Sequence, residues 1–158
     1  MTNDKILVSD GLAEEGLVLL RAVGEVTANP KISPEELLEI LPGYSALVVR
    51  SRTKVTPAVI QAGKALKVIG RAGVGVDNIH VSAAVERGIT VVNSPLAATQ
   101  AVAEHTLGLM LALARAIPAA DRSMKQAQWE KSAFMGSELN GKILGLIGLG
   151  RIGGRVAS

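Results

Sequence analysis

The chain has 158 residues, of which 48% are hydrophobic and only 2% aromatic, so aliphatic side chains must form its core. It contains no cysteine, which excludes disulfides, thiolate metal sites and cysteine nucleophiles. The formal net charge of +3 comes from scattered cations, and only one Trp, one Tyr and one Phe are present on which bases could stack, so we expect no nucleic-acid partner.

Two features of the sequence bear on its location. The longest apolar stretch, residues 106–114, is far shorter than the roughly 20 residues that a membrane-spanning helix needs. The N-terminus lacks the charged segment followed by a long apolar one that marks a signal peptide. We therefore expect a cytoplasmic protein without a membrane partner.

Apolar segments alternate with amphipathic ones along residues 1–100, which is typical of β-α-β units and a parallel sheet. Ser33 followed by Glu36 forms a capping-box pattern that predicts the start of one helix. Five strands within this length make a complete doubly wound α/β domain. The predicted strands are residues 5–10, 25–28, 45–50, 67–72 and 89–93, and the predicted helices are residues 12–23, 33–41, 57–65 and 81–87.

The pattern changes after Pro95. Residues 101–116 are apolar almost all round, which predicts a long helix buried on most of its faces. A more polar helix is predicted over residues 119–128, beyond a proline that bends or breaks the chain. We therefore predict one finished domain over residues 1–100 and the incomplete start of a second domain over residues 101–158.

The end of the chain carries the G-x-G-x-x-G pattern of dinucleotide-binding turns. A strand is predicted over residues 142–148, and a helix opens directly after the turn. In this context the first glycine permits a tight turn, the second lets the backbone approach a pyrophosphate, and the third lets helix and strand pack closely. The alternative is a purely structural turn. The glycines are Gly148, Gly150 and Gly153, and the helix offers the free N–H groups of Arg151 and Ile152 to the anion.

Two loops follow neighbouring predicted strands at the edge of the sheet where ligands of open α/β sheets bind. Arg50 and Ser51 follow the third strand, and Arg71 ends the fourth strand ahead of Gly73 and Gly75. Arginine suits carboxylates and phosphates, and glycines allow successive N–H groups to face an anion. These loops predict an anion site, the alternatives being a solvated arginine and a simple glycine turn.

The two histidines, His80 and His105, lack a plausible carboxylate partner, so we expect neither a catalytic nor a metal-binding role for them. Glu104 precedes His105 directly in a helix, and adjacent helical side chains point in different directions. The sequence therefore predicts no metal site.

Several segments, taken in order, resemble the D-isomer-specific 2-hydroxyacid dehydrogenase family. They are "VVRSRTKVT", "LKVIGRAGVGVDNI", "RGITVVNSP", "AEHT", "LARAIPAADRSMKQAQWEKSAFMGSELNGK" and "LGLIGLGRIG", and they run from about residue 45 to the end. The resemblance implies a flavodoxin-like substrate-binding lobe followed by a long helix and the first β-α unit of a Rossmann NAD-binding domain. It also implies a homodimer formed through helix 101–117 and the arm of residues 129–141.

The resemblance further implies roles for individual residues. The backbone at Val74 and Gly75 would hold the carboxylate of a small-molecule substrate, and Val74 would lie near the nicotinamide of NAD. Substrate contacts, including those to a phosphate, would come from Arg50, Ser51 and Arg71. The turn glycines Gly148, Gly150 and Gly153, with Arg151 and Ile152, would meet the pyrophosphate.

The implied activity is NAD-dependent oxidation of 3-phosphoglycerate, the entry to serine synthesis. The family's catalytic Arg, Glu and His belong to the part of the fold that follows the turn, so no catalytic residue is assigned in this chain, and we expect the chain alone to be inert. Where family members often read Gly-Asn-Thr, this chain has Ala97, Ala98 and Thr99, and its arm keeps only Lys131 as a basic residue between Trp129 and Phe134. Reduction of glyoxylate or hydroxypyruvate, and a non-catalytic NAD(H)-sensing corepressor scaffold, are the alternatives.

Overall fold

The computed structural model describes residues 4–158, which divide into two compact units, one ending at Ala97 and the other spanning Ala98–Ser158. The first unit contains a five-stranded, all-parallel sheet with the order β2-β1-β3-β4-β5. This order is the flavodoxin-like order of doubly wound folds, and it confirms the predicted fold class. The strands are β1 (Lys5–Val8), β2 (Glu25–Ala28), β3 (Ala46–Val49), β4 (Val68–Arg71) and β5 (Thr90–Asn93).

Four helices connect these strands, and three of them begin at a residue whose side chain caps the helix, namely Ser33, Thr56 and His80. The Ser33 hydroxyl accepts a hydrogen bond of 3.1 Å from the Glu36 N–H. The Glu36 carboxylate binds the side chain of Asn29 instead of closing the capping box. The Thr56 hydroxyl caps the third helix in the same way. The helices are α1 (Glu14–Arg21), α2 (Pro34–Ile40), α3 (Pro57–Ala62) and α4 (Val81–Glu86), with a short 3₁₀ turn over Leu41–Gly43.

The core of the first unit lies on the side of the sheet covered by α2, α3 and α4. Its largest fully buried side chains come from strands and helices alike, and none is aromatic: Leu7, Leu41, Leu47, Ile60 and Ile69. The aliphatic composition therefore packs as expected for a parallel sheet covered by helices.

The second unit contains three helices, α5 (Thr99–Ala114), α6 (Ile117–Lys125) and α7 (Arg151–Ala157), with a 3₁₀ turn over Lys131–Phe134. Helix α5 contacts both α6 and α7. Ala116 adopts a left-handed conformation with φ of 52°, which separates α5 from α6 shortly ahead of the predicted helix-breaking proline. In residues 4–158 no helix is long and apolar enough to cross a membrane.

Two predictions for the second unit are wrong. Residues 142–148 form no strand, and the Ile143 and Ile147 side chains are almost fully exposed. The reason is that a strand needs hydrogen-bonding partners, and the unit to which these residues belong contains only helices. The predicted burial of the long helix is also wrong, because Ala103 is its only buried residue. Two short helices cannot cover the apolar surface of a 16-residue helix.

Candidate functional site

Strands β3 and β4 end side by side, so the two loops predicted to bind an anion begin at the same edge of the sheet. Val49 pairs with Arg71 at the end of the ladder. The Ala72 N–H continues the pairing with a hydrogen bond of 2.9 Å to the Val49 carbonyl. This edge is the carboxyl edge of the parallel strands, where ligands of such sheets bind.

The loop Arg50–Thr53 is held from below by Asp10, which closely follows β1 and is only 4% exposed. One carboxylate oxygen, Oδ2, accepts the N–H groups of Arg50 (2.6 Å) and Thr53 (3.2 Å). The other, Oδ1, accepts the Thr53 hydroxyl at 2.7 Å. The sequence-based predictions did not include Asp10. An acidic residue at the end of a predicted buried strand could have indicated a role at this edge of the sheet.

Asn78 holds the same loop from a second direction. Its Nδ2 group donates hydrogen bonds to the carbonyls of Arg50 (2.8 Å) and Thr53 (2.7 Å), and the residue is 5% exposed. Asn78 lies within the predicted loop "GRAGVGVDNI", but no spacing rule distinguishes it from its neighbours. The structure thus shows that Asn78 holds the loop Arg50–Thr53, a role that the sequence did not predict.

The electrostatics of this cluster keep Asp10 ionised. Burial by itself raises the pKa of the Asp10 carboxyl. The hydrogen bond from the Thr53 hydroxyl, those from the Arg50 and Thr53 N–H groups, and the charge of Arg52 outweigh burial and lower the pKa below its usual value. The Arg52 Nε lies 3.2 Å from Asp10 Oδ1. Arg52 also donates to the carbonyls of Ile32 and Ser9, while half of its side chain remains exposed.

Arg50 and Ser51 are exposed at the top of the loop. Within residues 4–158, the Arg50 guanidinium makes only a long hydrogen bond of 3.3 Å, to the Gly11 carbonyl. Both residues line an open recess of about 290 Å³ that also includes Pro30. A cation and a hydroxyl are therefore presented to solvent by a loop whose backbone is fixed.

Arg71 and the glycines after it are arranged differently from the prediction. The Arg71 side chain folds back over Gly73, where a Cβ atom would collide with the guanidinium. The Gly73 N–H is bonded to the Arg71 carbonyl, so it does not face an anion. Arg71 lines a second recess of about 340 Å³ together with Asn93 and Ser94. Its Nε is buried and has no hydrogen-bond partner within residues 4–158.

The backbone at Val74 and Gly75 keeps two donors available. Within the described part of the chain neither N–H donates a hydrogen bond. The loop itself is held from β5, since Asn93 donates to the Val74 carbonyl at 2.5 Å and the Ser94 N–H donates to the Gly73 carbonyl at 2.9 Å. Two adjacent free N–H groups on a fixed loop suit a carboxylate.

The glycine turn in the second unit has the backbone that its pattern predicts. Gly148 has a φ of +94°, which favours glycine, and Gly150 is the N-cap of α7 in an extended conformation. A Cβ atom on Gly153 would collide with the Gly148 carbonyl oxygen, whereas one on Gly150 would meet nothing within 4 Å. The turn therefore leaves open space at its second glycine. Arg151 and Ile152 are the first two residues of α7.

Neither histidine belongs to these sites. His80 is the N-cap of α4, and its Nδ1 accepts the Ala83 N–H at 3.3 Å. His105 lies on α5. Across residues 4–158, no group of three or more His, Cys, Asp or Glu side chains is placed to hold a metal ion.

Comparison with known proteins decides the family. The family model described as D-isomer specific 2-hydroxyacid dehydrogenase, catalytic domain, matches residues 6–149. The chain belongs to this family. The resemblance found in its motifs is thereby confirmed.

Similar proteins agree with this assignment. The chain is 57% identical to D-3-phosphoglycerate dehydrogenase of Methanocaldococcus jannaschii over 152 residues, which cover 96% of the chain and 29% of that relative. It is 49% identical to hydroxypyruvate reductase of Thermotoga maritima over 158 residues, covering 99% of the chain and 52% of the relative. The chain therefore spans between about a third and a half of these relatives.

Solved structures share the fold. A protein from Thermus thermophilus superposes with a TM-score of 0.89 at 35% identity, over 97% of this chain and 51% of that one. The D-lactate dehydrogenase of Aquifex aeolicus, complexed with NAD and lactic acid, superposes with a TM-score of 0.79 at 26% identity, over 98% of this chain and 47% of that one.

Proposed function

We propose that this chain supplies the substrate-binding domain, residues 1–100, and the start of the NAD-binding domain, residues 101–158, of a dehydrogenase that oxidises 3-phosphoglycerate at C2. The observation that carries the proposal is the fixed loop that presents Arg50 and Ser51 to solvent at the carboxyl edge of the sheet. The 57% identity to a D-3-phosphoglycerate dehydrogenase supports the phosphorylated substrate.

The substrate has two anionic groups, and the first unit offers donors of two kinds. Arg50, Ser51 and Arg71 would bind the phosphate, because guanidinium groups form strong charge-assisted hydrogen bonds with phosphate oxygens. The N–H groups of Val74 and Gly75 would bind the carboxylate. We assign no catalytic residue within this chain.

NAD is the proposed cofactor, supported by the conformation of the glycine turn and by the NAD-bound relative. Gly148, Gly150 and Gly153 would let the turn approach the pyrophosphate, and the N–H groups of Arg151 and Ile152 would bind it. Val74 would lie against the nicotinamide. When bound, NAD would accept the hydride removed from C2 of the substrate.

The test uses the protein as its natural gene encodes it. NAD reduction is followed with 3-phosphoglycerate, glycerate, lactate and glycolate, and the 158-residue chain is assayed in parallel. We expect the natural protein to prefer 3-phosphoglycerate and the 158-residue chain to be inactive. Equal use of glycerate would exclude a phosphate site, and turnover by the 158-residue chain would show that it contains catalytic groups.

A matched pair of variants tests the phosphate assignment. Arg50→Gln should raise the KM for 3-phosphoglycerate about 10- to 100-fold, the usual effect of losing a charged hydrogen bond, and should leave the KM for glycerate nearly unchanged. Arg21→Gln, which removes an exposed arginine paired with Glu14 on α1, is the control and should change neither. Equal effects of the two variants would contradict the assignment.

Reduction of hydroxypyruvate is the second candidate, favoured by the 49% identity to a hydroxypyruvate reductase. Ala98 stands at a position where family members often have an asparagine that contacts substrate, so this departure bears on which acid is used. NADH oxidation with hydroxypyruvate and glyoxylate distinguishes the two, because a phosphate site gives no advantage to these acids.

We also propose a cytoplasmic homodimer that pairs through helix 101–117 and the arm of residues 129–141. The exposed apolar side chains of α5 and the exposed Trp129 support this proposal. Exposed apolar patches of this kind mark interaction surfaces.

A further inference from the structure

The loop Arg50–Thr53 is tied at both ends by two buried side chains, of which Asp10 also lines the recess beside Arg50 and Ser51. Asp10 accepts the first and last N–H groups of the loop. Asn78 donates to the first and last carbonyls of the loop. The loop is therefore held through all four terminal backbone groups, while the Arg50 side chain remains exposed.

Only one orientation of the Asn78 carboxamide is compatible with this arrangement. The reversed amide would point an oxygen at two carbonyl oxygens, which cannot donate a hydrogen bond. In the observed orientation both Nδ2 protons are used, and Oδ1 is buried without a hydrogen-bond partner within residues 4–158. A buried acceptor without a partner is unfavourable. The favourable hydrogen bonds of Asn78 therefore come from its amino group alone, and an aspartate or a leucine lacks this group.

We propose that Asn78 and Asp10 are positioning residues that set the affinity for the anionic substrate group by fixing the backbone from which Arg50 extends. Asn78 does not line the recess, and Asp10, which does, has both carboxylate oxygens bonded to the loop, so each acts through Arg50. The identity of the anion rests on the proposed function. The positioning of the Arg50 backbone rests on the hydrogen bonds of the loop alone.

A double-mutant cycle tests whether Asn78 acts through Arg50. In the natural protein, the KM and kcat for 3-phosphoglycerate are measured for Asn78→Ala, Arg50→Gln and the double variant. We expect Asn78→Ala to raise KM about tenfold with kcat changed less than about twofold, and the double variant to resemble Arg50→Gln alone, because residues acting as one unit are not additive. Multiplied effects in the double variant, or an equal effect of Asn78→Ala on glycerate, would overturn the proposal.

Two further variants separate positioning from general damage. Asn29→Ala removes a half-buried asparagine that binds Glu36, and it should leave KM unchanged. Asp10→Asn keeps the shape of the other positioning residue and should also raise KM for 3-phosphoglycerate more than for glycerate. If Asn78→Ala fails to fold, the Asp10→Asn variant replaces it as the test of positioning.

Amide hydrogen exchange separates failure of this proposal from failure of the proposed function. If the natural protein does not use 3-phosphoglycerate, the proposed function fails. Exchange in Asn78→Ala is then decisive for the loop: we expect faster exchange of the Arg50 and Thr53 amides and unchanged exchange in β3. Unchanged exchange at both amides would overturn the positioning role whatever the substrate.

Discussion

At the scale of single residues, Asp10 makes a definite contribution to the free energy of unfolding. Its buried carboxylate accepts hydrogen bonds from two N–H groups and one hydroxyl, and it forms an ion pair with Arg52. Asp10→Asn should lower the free energy of unfolding at pH 7 by about 1–3 kcal/mol, the usual cost of disrupting buried hydrogen bonds to a charged group. Urea unfolding measures this. Glu14→Gln, which breaks an exposed ion pair with Arg21, is the control and should cost less than about 1 kcal/mol.

The same carboxylate gives the stability a predictable dependence on pH. The pKa of Asp10 is lower in the native state than the ordinary value of about 3.9 in the unfolded chain, so the unfolded chain binds more protons between these values. Its contribution is therefore complete above the unfolded pKa and is lost as the pH falls through the native pKa. The difference between the wild type and Asp10→Asn should shrink at acid pH. A constant difference would contradict the lowered pKa.

Two neighbouring glycines of α7 form a natural pair for testing the dinucleotide turn. A Cβ atom on Gly153 would collide with the Gly148 carbonyl oxygen, whereas one on Gly154 would meet nothing within 4 Å. Gly153→Ala should weaken NAD binding by at least about tenfold, because one misplaced hydrogen-bonding group costs roughly 1.4 kcal/mol or more. Gly154→Ala should leave the NAD affinity unchanged. Titration calorimetry on the natural protein measures both, and equal affinities would show that the turn tolerates a side chain.

At the scale of elements, segments differ in how well the sequence predicts them. All five strands of the first unit were predicted within two residues at each end, because four of them are short, mainly apolar runs and the more polar β2 lies between a glycine and the proline-containing turn ahead of α2. Each also has a neighbour within the same unit to pair with. Residues 142–148 have a similar apolar pattern and form no strand. The apolar pattern indicates only that a segment can form a strand. Whether it does so depends on a neighbouring strand with which it can pair.

This difference leads to a prediction about backbone protection. In the 158-residue chain, the amides of residues 142–148 should exchange with solvent at nearly unprotected rates because they are unpaired, whereas those of β3 should be strongly protected because β3 is paired on both sides. Exchange followed by NMR measures both segments in one experiment. Strong protection of residues 142–148 in a monomer would show that they form a paired strand.

The candidate site was also predictable only in part. Arg50, Ser51 and Arg71 were predicted to lie at the carboxyl edge of the sheet, where the structure places them, because the ends of parallel strands face ligands in open α/β sheets. Asp10 and Asn78 were missed because their roles depend on backbone groups of a loop that is distant along the chain, 40 residues from Asp10 to Arg50 and 25 from Thr53 to Asn78. The position of the Arg71 side chain over Gly73 could not be predicted either, because it depends on the conformation of the loop.

At the scale of the whole molecule, charge and apolar exposure are unevenly distributed. Residues 1–100 carry ten cationic and ten anionic side chains, whereas residues 101–158 carry seven and four, so the second part supplies the entire net charge of +3. The same part contains α5, whose Leu113 is 85% exposed. The arm returns to the end of this helix, where the Ser137 N–H donates to the Ala114 carbonyl at 2.7 Å. The exposed apolar side chains of the helix and those of the arm therefore belong to segments that are joined at this point.

We expect these exposed apolar side chains to pair two copies of the natural protein. Leu113→Glu should weaken the dimer at least about tenfold, because a charge buried without a partner in an apolar interface is strongly unfavourable. Leu19→Glu is the matched control, since Leu19 is a similarly exposed leucine, 72% exposed, on α1 of the first unit. Sedimentation velocity over a range of concentrations measures both dissociation constants. Dissociation by Leu19→Glu alone would move the interface to the first unit, and a monomeric wild type would leave the apolar face of α5 to another partner.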